Sequence, residues 1–102
     1  MQLNQNRTVW GGEPAGEILT RHLRPEKFII YTEETVKDLM LNYRLMPDDE
    51  GDIWVYDLFW NKKLNEHIAP AALVYTELMI GNDKRNKETA NIIFNEYIKP
   101  NL

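Results

Sequence analysis

A side-chain nucleophile needs a thiol or an activated hydroxyl, and this sequence contains neither cysteine nor serine. Ser–His and Cys–His catalysis are therefore excluded. His22 and His67 stand far apart and belong to no HExxH-like ligand spacing, so both read as packing residues. Asp48, Glu50 and Asp52 alternate like the opening of a calcium loop. Such a loop needs glycine at its sixth position and glutamate at its twelfth, where this chain has Ile53 and Phe59. The run reads as a solvated turn. Metal-dependent nucleases use an acidic-x-Lys step to hold metal and water together, yet no Asp or Glu here stands two residues before a lysine. Nucleotidyl transfer sets a Gly-Ser turn before paired strand carboxylates, and here serine is missing and Glu50-x-Asp52 falls in the turn. The sequence thus predicts no catalytic residue, no metal ligand set and no cofactor.

Two polar features remain. Gly11-Gly12 precedes a helix and could turn backbone N–H groups toward an anion. Glu13 already places a carboxylate there, and no Lys or Ser/Thr completes a phosphate loop, so a tight turn is the preferred reading. The second feature is Glu77, Asp83, Arg85 and Glu88. Glu77 is the only charge in Ala71–Ile80, and a buried carboxylate needs a partner. Arg85, just past Gly81, is expected to fold back onto Glu77 or Glu88 and lock two helices by an ion pair. The competing reading is a partner or substrate contact.

These residues must be positioned by a short series of elements. Residues 1–8 are polar and read as a tail or the end of a linker, with Val9-Trp10 as the first apolar anchor. A helix opens at Glu13-Pro14 and keeps Ala15, Ile18, Leu19, His22 and Leu23 on one stripe, until Arg24-Pro25 stops it. Lys27–Tyr31 is β-branched and aromatic, a covered strand. Thr32 is a candidate N-cap for a second helix that turns Val36, Leu39, Met40 and Tyr43 to the core and ends near Asn42. Tyr43–Met46 and Ile53–Phe59 flank the acidic turn and read as a hairpin. Alternation places Ile53, Val55, Asp57 and Phe59 on one face of its second strand, with Trp54, Tyr56, Leu58 and Trp60 on the other. After a polar connection over Asn61–His67, Pro70 leads into a helix over Ala71–Ile80, apolar nearly all round and so predicted to be buried. Asn82 or Asp83 caps a last helix with Ala90, Ile93, Phe94, Tyr97 and Ile98 on its core stripe, ended by Pro100. The expected class is α+β: a small mixed sheet with a central hairpin flanked by about four helices, in the order α-β-α-β-β-α-α.

Length and charge bound the rest. At 102 residues the chain is the size of one domain, and its composition is that of a globular protein. Residues 1–47 and 53–102 each carry six basic and six acidic side chains, so the net charge of −4 resides in Asp48–Asp52. No large basic face is left for phosphates, which argues against nucleic-acid binding by this chain alone. No apolar run approaches the roughly 20 residues that span a bilayer, and the N-terminus lacks a signal-peptide pattern. The expected location is the cytoplasm, without membrane contact.

Three segments together resemble the C-terminal domain of AbiEi-type antitoxins, the regulatory partners in type IV toxin–antitoxin systems. The first is Trp10-Gly11-Gly12-Glu13-Pro14-Ala15 with Leu19-Thr20 and Leu23-Arg24-Pro25-Glu26. The second is the stretch from Arg44 to Trp60, similar to the family's Arg-Leu-x-Pro-Asp-x-x-Gly hairpin ending in Phe-Trp. The third is Leu73–Leu78, then Gly81–Asn86 with Asp83 and Arg85, then Glu88-Thr89-Ala90. Glu77 stands where the family prefers Asp, and one residue is inserted between Gly81 and Asp83. The segments fall in order over about residues 9–98.

The resemblance implies a single C-terminal-type domain over residues 9–102. It also implies a role in neutralising a nucleotidyltransferase-like toxin without a stable complex. DNA contact is expected only through an N-terminal winged helix-turn-helix, which nothing here resembles. The expected protein is non-enzymatic. The rival readings are a divergent nuclease or nucleotidyltransferase scaffold, and an interaction module using exposed Trp54 or Trp60. The sequence does not fix the oligomeric state.

Overall fold

The computed structural model describes Leu3 and residues 7–44, 53–60, 67–80 and 83–102. Strand β1 (Thr8–Gly11) runs directly into helix α1 (Gly12–Thr20). Strand β2 (Phe28–Thr32), helix α2 (Val36–Tyr43) and strand β3 (Ile53–Asp57) follow. Helix α3 (Ala71–Met79) precedes α4 (Lys84–Ile93), which continues through a π turn over Phe94–Ile98 and a 3₁₀ turn over Lys99–Asn101. The class is α+β, with a small mixed sheet and four helices among the described residues.

The sheet runs β1-β2-β3, with β1 antiparallel and β3 parallel to β2. Among the described residues β3 thus lies parallel to β2, where a central hairpin was expected. The apolar alternation of Ile53–Asp57 marks a strand correctly but does not name its partner, and the partner is β2. Tyr43 is not a strand residue: it closes α2, and Arg44 follows it in the left-handed region at φ 55°. Leu45–Met46 and the acidic run Asp48–Asp52 lie outside the described residues, as do Asn61–Glu66, Gly81 and Asn82. The first strand takes in Thr8, which is buried, so the ordered sheet reaches into the segment expected to be a tail.

Period-2 alternation and the pairing register give the sheet two faces. Val9, Tyr31 and Tyr56 form one row, and Gly11, Ile29 and Trp54 the next row of the same face. Val9, Ala15, Leu23, Tyr31, Val74, Leu78, Ala90 and Ile93 make the core between this face and α1, α3 and α4. The opposite face carries Thr8, Thr32 and the fully buried Ile30.

Several helix expectations shift. Helix α1 stops at Arg21, at φ 54°, with its N–H donating to the Glu17 carbonyl at 2.7 Å, ahead of Arg24-Pro25. His22 therefore leaves the stripe, and Ile18 is exposed. Thr35, not Thr32, caps α2: its hydroxyl accepts from the Asp38 N–H at 3.1 Å while Asp38 accepts from the Thr35 N–H, a capping box. Thr32 is held in the sheet. Of the four expected core residues of α2, Leu39 is buried, Tyr43 is half-buried, and Val36 and Met40 are exposed. Helix α3 buries Val74 and Leu78 but leaves Met79 and the following Ile80 at the surface, so its all-round apolarity does not translate into all-round burial. Asp83 caps α4 as expected, accepting from the Arg85 and Asn86 N–H groups. The α4 stripe buries Ala90 and Ile93, but Tyr97 is exposed and donates its hydroxyl to the Leu19 carbonyl at 2.8 Å.

Candidate functional site

The polar residues singled out in the sequence converge where the start of α1 meets α3, α4 and the sheet. The chain must pass from β1 into α1 without a loop, and glycine makes this possible at two positions. A Cβ on Gly11 would lie 2.6 Å from the Tyr31 ring and 3.3 Å from Glu77 Oε1. Gly12 sits at φ +52°, in the left-handed region, and a Cβ there would lie 2.8 Å from Ile29 Cδ1. The bare backbone lets α3 approach. Glu77 Oε1 then accepts from the Gly12 N–H at 2.9 Å, and Oε2 accepts from the Tyr31 hydroxyl at 2.7 Å. The anion at this helix start is thus supplied by the chain itself, as the positive end of a helix favours. Burial and the Glu77 hydrogen bond both push the Tyr31 hydroxyl above its ordinary range, so it stays a donor.

Glu13 is the second carboxylate at this corner, and it is buried. Its Oε1 accepts from the Glu26 N–H at 2.9 Å and more loosely from the Lys27 N–H at 3.4 Å, and its Oε2 accepts from Asn86 Nδ2 at 3.2 Å. It ties α1 to the connection before β2 and to α4. Arg85 pairs with Asp83 at 3.2 Å, Glu26 at 3.5 Å and Glu13 at 3.6 Å, and donates to the Arg24 carbonyl. The Asp83 hydrogen bond leads in holding the guanidinium charged, and the same contact leads in lowering the Asp83 carboxyl.

This corrects the expected Arg85–Glu77 or Arg85–Glu88 lock. Arg85 turns toward α1, and Glu77 is held by neutral donors. Glu88 lies exposed on α4 and is not among the ion-pair partners of Arg85 in the described residues. Gly11, Gly12, Glu13, Glu77, Asp83 and Arg85 do come together. Sequence reasoning missed Tyr31, Asn86 and Lys27 at this corner; the signal for Tyr31 was a hydroxyl directly after the apolar run Phe28–Ile30.

Beside the cluster lies a half-enclosed cavity of about 400 Å³. Its lining includes Gly12, Glu13, Glu77 and Asp83, together with Lys27 and with Trp54 and Tyr56 of β3.

A different carboxylate lies on the opposite sheet face. Glu34 accepts from the Thr8 hydroxyl, the Tyr43 hydroxyl at 2.7 Å and Asn42 Nδ2 at 3.2 Å, and its N–H donates to Thr32 Oγ1 at 2.8 Å. Burial works to raise its carboxyl, but the Thr8, Tyr43 and Asn42 bonds and the nearby Arg7 charge outweigh it and leave the group below the usual range. Nothing in the sequence marks Glu34 for this role, because its partners come from three elements.

Among the described residues no group of three or more His, Asp or Glu side chains gathers as metal ligands would. His22 and His67 are both exposed. No helix among the described residues is long and apolar enough to cross a membrane.

These contacts define a small α+β domain built around internal carboxylate junctions. The chain belongs to the family described as transcriptional regulator, AbiEi antitoxin, type IV toxin–antitoxin system, whose model it matches over residues 1–99. No curated protein and no solved structure matches it.

Proposed function

We propose that this chain is a non-enzymatic regulatory domain of a type IV toxin–antitoxin system. Residues 9–102 form one C-terminal-type domain that antagonises a cytoplasmic toxin without a stable complex, while DNA contact belongs to a winged helix carried on a separate segment. The supporting observation is the family match over residues 1–99. The geometry is consistent with it: Gly11, Gly12, Glu13, Glu77, Asp83 and Arg85 form interlocked contacts that join α1, β2, α3 and α4. The balanced charge outside Asp48–Asp52 agrees with DNA contact lying elsewhere.

A second reading, a protein-interaction module, draws on Trp54, Tyr56 and Phe59, all exposed on or beside β3.

The test is growth of cells expressing the neighbouring toxin gene, with and without the intact regulator that contains this domain. Restored growth that disappears on deletion of the domain supports the reading. Growth arrest regardless of the domain, or metal-dependent turnover of nucleic acid or nucleotide by the purified chain, would overturn it.

A further inference from the structure

We propose that the cavity between the start of α1 and the β3 aromatics seats an arginine side chain carried by a basic protein segment. The inference stands on the cavity's chemistry and does not require the toxin–antitoxin reading. Three acidic residues, Glu13, Glu77 and Asp83, and one basic residue, Lys27, line the cavity. Arg85 is already shared among Glu13, Glu26 and Asp83. Glu77 has no cation within ion-pair distance among the described residues, and each of its oxygens holds a single neutral donor. A carboxylate offers about four acceptor positions, so both oxygens can take a further N–H. With Glu13 and Asp83 already paired to Arg85, the carboxylate left without a cation beside the cavity is Glu77, which disfavours an anion there.

The aromatic lining selects among cations. Trp54 and Tyr56 lie two residues apart on the same face of β3, beside Ile29 and Tyr31 of β2. They are 43% and 48% exposed, so their ring surface is available. A planar guanidinium can lie against an aromatic face while its edge donates to a carboxylate, whereas an ammonium acts as a point charge. The volume of about 400 Å³ falls in the roughly 300–1,000 Å³ range of ligand sites. The aromatic surface continues past the cavity to Phe59, 70% exposed and packed edge-on against Trp60 at 5.0 Å. A free cation would leave that strip bare. A peptide chain leading away from the arginine would cover it.

The experiment is an amide-resolved NMR titration of the whole chain with a blocked Gly-Arg-Gly peptide, compared with its citrulline counterpart, which keeps the shape and removes the charge. Saturable shifts are expected at the Gly12 and Ile29 amides and the Trp54 indole N–H. Binding should weaken at least about fivefold with citrulline, with Trp54→Ala and with Glu77→Gln, as loss of a desolvated cation–π or charge contact implies. If Glu77→Gln fails to fold, Trp54→Ala on the exposed strand decides. Equal binding of the citrulline peptide would overturn the proposal. So would wild-type affinity in the folded variants, shifts confined to Asp48–Asp52, or no saturable shift at all.

Discussion

Glu34 and Glu77 are both drawn out of solvent, and each accepts a tyrosine hydroxyl at 2.7 Å, yet they sit in opposite kinds of environment. Around Glu34, donors from β1 and α2 close the site, and Arg7 adds a charge from outside. That corner is a knot: it fastens α2 to the sheet edge, and little of the carboxylate remains for anything else. Around Glu77, two donors fix the side chain while a cavity stays open beside it. The same functional group is enclosed by three side-chain donors on one sheet face, and on the other it is held by two donors beside open space. The difference comes from what stands opposite: hydroxyls and an amide in the first case, exposed rings in the second. A buried carboxylate does not reveal its role by burial; the unfilled space beside it does.

The two corners should respond differently to substitution, and the largest effect is expected next to the open one. Glu13→Ala removes the acceptor for the Glu26 N–H and Asn86 Nδ2 and unbalances Arg85. Leaving buried donors unmatched should lower unfolding free energy by about 2–4 kcal/mol in urea denaturation. A loss near zero would mean that Glu13 is not the joint between α1 and α4. Gly12→Ala comes next. Forcing a Cβ into the left-handed region should cost about 1–2 kcal/mol, read as a lower thermal midpoint. On the closed side, Thr35→Ala should remove about 1 kcal/mol by uncapping α2, with Thr35→Asp restoring most of it.

The smallest effect lies in the pH dependence. Glu34 has a folded carboxyl below its ordinary value, so its contribution to stability is complete above the unfolded carboxylate range. It fades as pH falls through that range and then through the lower folded value. Glu34→Gln should therefore flatten the acid limb of stability measured by urea unfolding between neutral and strongly acidic pH. An unchanged limb would show that Glu34 is not held as described.

The elements were largely legible in the sequence, because apolar period and caps act locally. The β2 strand, the Asp83 cap and the helix over Ala71–Met79 follow directly from residue type and spacing. Pairing was not legible. Ile53–Asp57 alternates in the same way whether it meets a preceding strand in a hairpin or β2 in parallel, and only long-range packing decides. The cluster was half legible. The Gly-Gly-Glu step and Glu77 stand out by type, but the partner of Glu77 is a backbone N–H 65 positions away, and backbone donors carry no mark in a sequence. Arg85 misled for the same reason: complementary charge suggested Glu77, while the turn of α4 directs the guanidinium to Glu13.

The most direct test of these carboxylates as internal joints is hydrogen exchange of the Gly12 amide. It should be protected in the wild-type chain. Glu77→Ala should speed its exchange by at least about tenfold, the equivalent of one ordinary hydrogen bond, while Glu34→Ala leaves it within a few-fold of wild type. Fast exchange at Gly12 in the wild type, or a rate indifferent to Glu77, would contradict the account.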